Sequence, residues 1–388
     1  MNTNAPLAGI RVLDLTRLVP GPLGSLVLAD MGAQVDKVED PNGGDYLRHM
    51  PPQVGEQNTA FLALNRGKRS IVLDLKHAEG RAAFERMLPR YDVLFEQFRP
   101  GVLDRLGLGH ASLRAKFPRL VIAALTGYGQ TGPLAHRAGH DIDYLARSGL
   151  LGLTGPQCGP PQSPGFQLAD VAGGMWAVIG ILGALRARDA SGQGAIVDIA
   201  MSEGTLPFAM VQLGTVFAGG RAKGGGEALT GGIAPYRTYA TKDGKAVALG
   251  ALEPKFWRAF CEGVDLPFDM SAMMPGDHQA ALQARMEEIF AGQTRDEWAA
   301  FGAAKDCCLE PVLESHELTS DPHLAARGMF VTQETPFGPS VQVRLPVSDR
   351  ASTPSPPPAM GQHTDAILGE AGFSADEVAS LRASGAVR

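Results

Sequence analysis

The stretch IRVLDLTRLVPGPLGSLVLADMGAQVDKVED, residues 10–40, decides the fold. Its first run, IRVLDL (10–15), is rich in branched and apolar residues without strict alternation, as in a strand buried on both faces. A helical pattern over 22–31 stops before Gly32, and QVDKVE (34–39) reads as a second strand. Strand, helix and strand in about 30 residues form a βαβ unit, which places its two strands in parallel.

The same alternation continues outward. SIVLDL (70–75), DVLFEQF (92–98), LVIAALT (120–126) and AIVDIAM (195–201) read as further strands, and 78–88 and 171–188 as helices. The expectation is an α/β fold with a Rossmann-like parallel sheet. Near residue 202 the pattern changes. A helical stretch over 202–217 leads into RAKGGGEALTGG (221–232), which reads as a linker. YRTYATKDGKAVALG then reads as a hairpin turning at Asp243-Gly244, followed by helices, a small α+β region. STPSPPPAM (352–360) reads as an extended surface segment, with an amphipathic tail over 364–384.

Composition bounds the function. The chain has 388 residues, 44% hydrophobic and 20% charged, so it can bury a core and its length predicts two or three domains, or one large one. Its 41 acidic and 35 basic residues give a net charge of −6, which argues against a polyanion binder. Aromatics at 6% argue against a base-stacking platform, so no nucleic-acid partner is expected. The four cysteines form no C-x-x-C and read as incidental thiols of a reducing compartment. No signal peptide is visible in MNTNAPLAG, and the uncharged runs 171–185 and 205–220 fall short of the about 20 residues of a membrane span. A cytoplasmic protein without a membrane partner is therefore expected.

Five groups of residues can carry chemistry. GYGQTG (127–132) matches G-x-G-x-x-G, but Pro133 and PLAHRAGHD follow where a dinucleotide site needs a helix, so a glycine-permitted turn is the better reading. In AGHDIDY (138–144), Asp141 can cap a helix with His140 just outside it and Tyr144 one turn in. His140 is either an ordinary hydrogen-bonded histidine or a proton-transfer group. In GFQLADVAGG (165–174), Asp170 reads as the N-cap of the 171–188 helix. Gly173 and Gly174 would also let a ligand approach the helix start, making Asp170 a candidate base, acid or nucleophile. In GALEPKFW (250–257), Pro254 makes Glu253 the expected cap of a helix. Arg66, Lys68, Arg69, Lys76, Arg99 and Arg105 cluster around strand ends, either as solvated charge or as a phosphate site.

Taken together these segments resemble one family, the family III CoA-transferases, and within it the α-methylacyl-CoA racemases. The likeness runs from LAGIRVLDLTRLVPGPLGSLVLADMGAQVDKVEDP through NRGKRSIVLDLK, DVLFEQFRPGVLDRLGLG, LTGYGQTGP, AGHDIDY, LAD and GALEPKFW to GQHTDAILGEAGFS. It implies an interlaced homodimer. The large CoA-binding domain would comprise residues 1–220 and 330–388 and the small domain 233–320, with linkers at 221–232 and 321–336.

The resemblance also assigns residues. His140 and Asp170 fall on the racemases' two catalytic positions, and Glu253 on the glutamate that pairs with the histidine across the dimer. Leu73, Asp74, Leu75, Lys76, Arg99, Arg105, Gly139, Asp141 and Tyr144 fall on CoA-contacting positions. Asp40 departs from the arginine that racemases carry there, with Lys37 as the substitute cation. Phe166 departs from an asparagine. The implied activity inverts the α-carbon of 2-methylacyl-CoA thioesters, in fatty acid metabolism. His140 removes the α-proton on one face, protonated Asp170 donates on the other, and helix N–H groups hold the enolate oxygen. No metal and no cofactor is called for, CoA being part of the substrate. The alternative is CoA transfer with Asp170 as acyl-accepting nucleophile. Gly224–Gly226 resembles the transferases' glycine loop, whereas transferases typically lack the histidine of GHD. A non-catalytic acyl-CoA binder would need no such pair.

Overall fold

The structure, a computed structural model, describes residues 5–55, 57–335, 338–349 and 354–388. Residues 1–4, residue 336 of the second expected linker and residues 352 and 353 of the proline-rich segment lie outside these. The chain divides into two compact units. Met1–Ser148, Phe166–Leu206 and Pro322–Arg388 form the first; Gly149–Gly165 and Pro207–Asp321 form the second.

In the first unit six strands form one sheet: β1 Arg11–Leu15, β2 Gln34–Glu39, β3 Arg69–Val72, β4 Val93–Glu96, β5 Val121–Thr126 and β6 Ile196–Ala200. Their order is β3-β2-β1-β4-β5-β6, and every pairing is parallel. The apolar runs make this possible, because Val12, Leu13, Leu94, Phe95, Ile122 and Ala123 are fully buried between helices on both faces. The order reverses between β1 and β4, and a ligand crevice opens at such a point beyond the carboxyl ends of the strands.

One face carries helix α1, Pro20–Asp30, and the other α2, Ala78–Met87; α3 is Asp141–Ser148 and α4 is Leu168–Ser191. Around α2, Phe84 and Met87 join Leu13, Ile71 and Leu94 with Ile367 and Leu381 from the C-terminal helices Thr364–Glu370 and Ala375–Ala383. The C-terminus also pads the sheet beyond β3, where Asp74 N donates to Ala386 O at 2.9 Å.

α4 is 24 residues long, and by length and composition it has the apolarity of a membrane span. Its inner side chains, including Ala172, Ala177 and Ile181, are buried within the unit. Gly173 and Gly174 serve this packing, contrary to the expectation that they admit a ligand. A Cβ on Gly174 would stand 2.4 Å from Pro20 O, and one on Gly173 would stand 2.6 Å from Met201 Cγ.

In the second unit, β7 Tyr236–Ala240, β8 Ala246–Gly250 and β9 Leu309–Pro311 pair antiparallel in the order β9-β8-β7. Gly244 turns the hairpin at φ +74°, as its Asp-Gly pair predicts. Helices α5 Pro254–Gly263, α6 Gln279–Phe290 and α7 Arg295–Lys305 cover it. Five aromatics, Tyr239, Trp257, Phe260, Phe290 and Trp298, share its core. Residues 221–232, expected as a linker, are folded into this unit around a turn at Ala228–Thr230. Their glycines allow backbone contacts as well as freedom: a Cβ on Gly232 would stand 2.3 Å from Gly226 O.

The crossing of α1 and α4 gives a paired prediction. Gly174→Ala forces a backbone shift and is expected to destabilise the protein by about 1–3 kcal/mol. Gly183→Ala, on the same helix with nothing within 4 Å, should be tolerated. The urea midpoints of the two variants measure the difference.

Candidate active site

Two cavities open in the first unit at the carboxyl edge of the sheet. The first, about 320 Å³, is lined from the ends of β1, β2 and β3 and includes Asp40, Leu73, Asp74, Leu75, Lys76 and Arg105. The second, about 370 Å³, includes Arg99, Gly139, His140, Tyr144 and Asp170. The structure thus brings His140 and Asp170 to one cavity and separates the expected CoA contacts between two, except Asp141, which lines neither and accepts from the first amides of α4.

The loops at the reversal point are tied down. Glu96, at the end of β4, accepts from Phe98 N at 2.7 Å and pairs with His110 Nε2 at 3.1 Å. Gln97 Oε1 accepts from Gly21 N at 3.2 Å, joining the loop after β4 to the start of α1.

Lys37 lines the first cavity, yet its ammonium is not free. Nζ lies 3.0 Å from Asp45 Oδ2 and donates to Thr16 O at 2.7 Å, with the side chain 1% exposed. The expectation that it substitutes for an arginine toward CoA is therefore corrected: its charge is spent on the loop after β1. Three other strand-end cations are also structural. Arg66 forks onto Asp30 at 2.6 and 2.8 Å, and Arg69 pairs with Asp36 and Glu370. Lys68 is buried against Asn65 Oδ1, Pro22 O and Asp14. Lys76, Arg99 and Arg105 are exposed at the cavity walls.

His140 immediately precedes α3. Its N–H donates to Asp143 Oδ2 at 3.0 Å, so Asp143, and not Asp141, serves this helix start. Tyr144 Oη donates to Gly139 O, and the ring sits edge-on to Tyr128 at 5.2 Å. This ring explains two glycines: a Cβ on Gly127 would stand 2.4 Å from it, and one on Gly139 would stand 2.8 Å away. GYGQTG is accordingly a turn with Gly127 on the cavity wall, Gly129 and Gly132 at positive φ and no helix until Asp141.

Asp170 stands inside the first turn of α4, which begins at Leu168, so it is not the N-cap. Asp141 takes that role from outside, its Oδ1 accepting from Ala169 N at 2.6 Å and Asp170 N at 3.1 Å. Val171 N donates to Gln167 O at 3.0 Å. The amides of 169–171, expected to hold an enolate oxygen, are thus already engaged. Burial, and then the charge of Asp141, push the Asp170 carboxyl up to about 7. Burial followed by Asp170 raises the Tyr144 hydroxyl above the usual tyrosine range.

Met201 lines the second cavity, Trp176 donates to Gly204 O, and Met210 is exposed. Phe166 is exposed as well. Glu253 occupies the N-cap position of α5, as Pro254 predicts, but its exposed carboxylate makes no capping bond. Sequence reasoning missed Arg17, Arg137 and Phe98. The signal for Arg17 and Phe98 is their place: each lies two residues beyond a central strand, where loops face a ligand. Among the described residues no three His, Cys, Asp or Glu side chains group as a metal would require.

Residues 7–364 match the family described as CoA-transferase family III. The chain belongs to CoA-transferase family III. Human alpha-methylacyl-CoA racemase is 38% identical over 383 residues, covering 97% of this chain and 96% of that protein. The acetyl-CoA:oxalate CoA-transferase of Acetobacter aceti is 36% identical over 347 residues, 88% of this chain and 89% of that protein. The crystal structure of a CAIB/BAIF family protein from Brucella suis matches with a TM-score of 0.81 at 32% identity, covering 95% of this chain and all of that one. The family III assignment thus joins this chain to relatives of both reaction types.

Asp141 offers a test of the electrostatics. Asp141→Asn keeps an oxygen acceptor for the α4 amides and removes one negative charge, so Asp170 should titrate lower. Carboxyl ¹³C NMR of Asp170 reads the shift, and the loss of cap charge should cost about 0.5–1 kcal/mol in unfolding.

Proposed function

We propose that this chain is a racemase or epimerase of 2-methylacyl-CoA thioesters that works by 1,1-proton transfer. The supporting observation is the shared cavity of His140 and Asp170, with Asp170 shifted to about 7. Inverting a carbon next to a thioester requires removal of a proton from one face and its return to the other. A pair that holds one proton does this in both directions. Neutral His140 with protonated Asp170 serves one epimer, and imidazolium with carboxylate serves the other. The enolate oxygen would lie among the cations of the same cavity, Arg99 and Arg137, since the first amides of α4 are engaged. The proposal includes an interlaced homodimer in which Glu253 orients the histidine, a cytoplasmic location and a place in fatty acid metabolism.

CoA transfer is the second reading, favoured by the oxalate CoA-transferase relative at 36% identity. There the Asp170 carboxylate attacks the thioester carbonyl and CoA leaves as thiolate; the thiolate then attacks the Asp170 carbonyl of the mixed anhydride and releases the donor acid, and an acceptor carboxylate takes CoA from the aspartyl thioester by the same two steps in reverse.

Incubation in D2O with a 2-methylacyl-CoA and no acceptor acid distinguishes the two. Exchange of the α-proton with loss of stereochemistry is expected; turnover only with an acceptor acid would sink the racemase reading. His140→Ala and Asp170→Asn should each lower racemisation by ~10²-fold or more. The pH profile gives an independent sign. As Asp170 loses its proton above about 7, the form with protonated Asp170 is depleted, so racemisation should slow. Anhydride formation needs the ionised carboxylate and would quicken over the same range.

A further inference from the structure

Two side chains line both cavities at the carboxyl edge: Phe98 and Arg17. Arg17 is the exposed middle residue of a loop fixed on either side. Before it, Thr16 N donates to Asp14 Oδ1 at 2.8 Å and Thr16 O accepts from Lys37 Nζ at 2.7 Å. After it, Leu18 N donates to Asp45 Oδ1 at 3.0 Å, with Leu18 held at φ +64°, a conformation that a branched side chain seldom adopts. The backbone therefore has little freedom, and the arginine side chain projects from a rigid base.

Its charge is also uncommitted. Arg48, Arg66 and Arg69 each fork onto a carboxylate. Among the described residues Arg17 pairs with none. Its guanidinium stacks on the exposed ring of Tyr46, 4.6 Å from the centroid, and Nη1 donates to Tyr46 Oη at 2.9 Å. Stacking holds the plane while leaving N–H groups at its edge for a ligand, the geometry in which arginine grips phosphate with two parallel bonds.

We propose that Arg17 is a positioning residue that grips the diphosphate of a CoA thioester where the ligand crosses from the first cavity into the second. The inference rests on the reading of the substrate as an acyl-CoA. It gives the site a chemical preference: diphosphate-bearing thioesters over thioesters of the same acyl group on phosphate-free pantetheine. Lys76 and Arg105 attract a phosphorylated ligand to the first cavity, while Arg17 fixes how far its arm extends toward His140 and Asp170.

The test uses the full chain. Calorimetric titration with CoA and with pantetheine is compared among wild type, Arg17→Ala and Arg17→Lys. Arg17→Ala should weaken CoA binding ~10-fold or more relative to pantetheine, with Arg17→Lys between, because lysine keeps the charge and loses the fork. In turnover, Arg17→Ala should lower the ratio of kcat/KM for acyl-CoA to that for acyl-pantetheine by a similar factor, mainly through the KM of acyl-CoA. Equal losses for the two ligands would make Arg17 a structural support of the loop and overturn the proposal. Unchanged CoA binding in Arg17→Ala would overturn it alone. Failure of wild type to bind CoA would overturn the acyl-CoA reading, and this proposal with it.

Discussion

Four buried charges on and around β1 and β2 hold the loop after β1 in place. Asp14, Lys37, Asp45 and Lys68 have side chains 0–1% exposed. Burial of a charge is tolerated only when partners satisfy it, and here the backbone of the loop after β1 supplies part of that satisfaction. The strength of the constraint is visible in Lys68. Burial brings its ammonium down to about 7 despite Asp14 beside it. Glu39 nearby shows the opposite balance: burial would raise it, but the bonds from Arg48 prevail and hold it at about 2. Releasing the loop would strand these charges, so the partition between the two cavities is fixed by electrostatics rather than by apolar packing.

A second balance operates at the start of α4. A helix N-terminus ordinarily favours an ionised carboxylate, through free amides and the aligned peptide dipoles. Here those amides are turned toward Asp141. Asp170, within that first turn, receives burial and a like charge, and little of the compensating donation. The same contact that caps the helix therefore raises the neighbouring carboxyl to about 7. Structure and chemistry are coupled through one oxygen, Asp141 Oδ1.

Much of the first unit was legible because its strands are continuous apolar runs. The six expected runs contain the six strands except at one edge: β3 begins at Arg69, one residue before the run starting at 70. Helix ends were less legible. α4 starts at Leu168 because its cap is supplied by Asp141, which is remote in sequence, and no local pattern reveals that partner. The cations at 66, 68 and 69 misled for the same reason. Their carboxylate partners, Asp30, Asp14, Asp36 and Glu370, come from other segments. Glycine was ambiguous in another way: Gly174 and Gly232 read as freedom for a ligand or linker, whereas they accommodate backbone at close range.

These considerations bear on why one fold serves two reactions. A carboxyl group near 7 is present at neutral pH as both acid and carboxylate, so Asp170 by itself suits a proton donor and a nucleophile alike. The distinction must come from its neighbours. Attack on a thioester carbonyl regenerates the carboxylate when the acyl group departs and needs no second base on the cavity. Inversion of the α-carbon does need one, because the proton removed from one face must be replaced from the other. In the proposed racemase, His140, which lines the same cavity just ahead of α3, is that second group. The second group therefore separates the two reactions, while the burial of Asp170 leaves its carboxyl near 7, open to either.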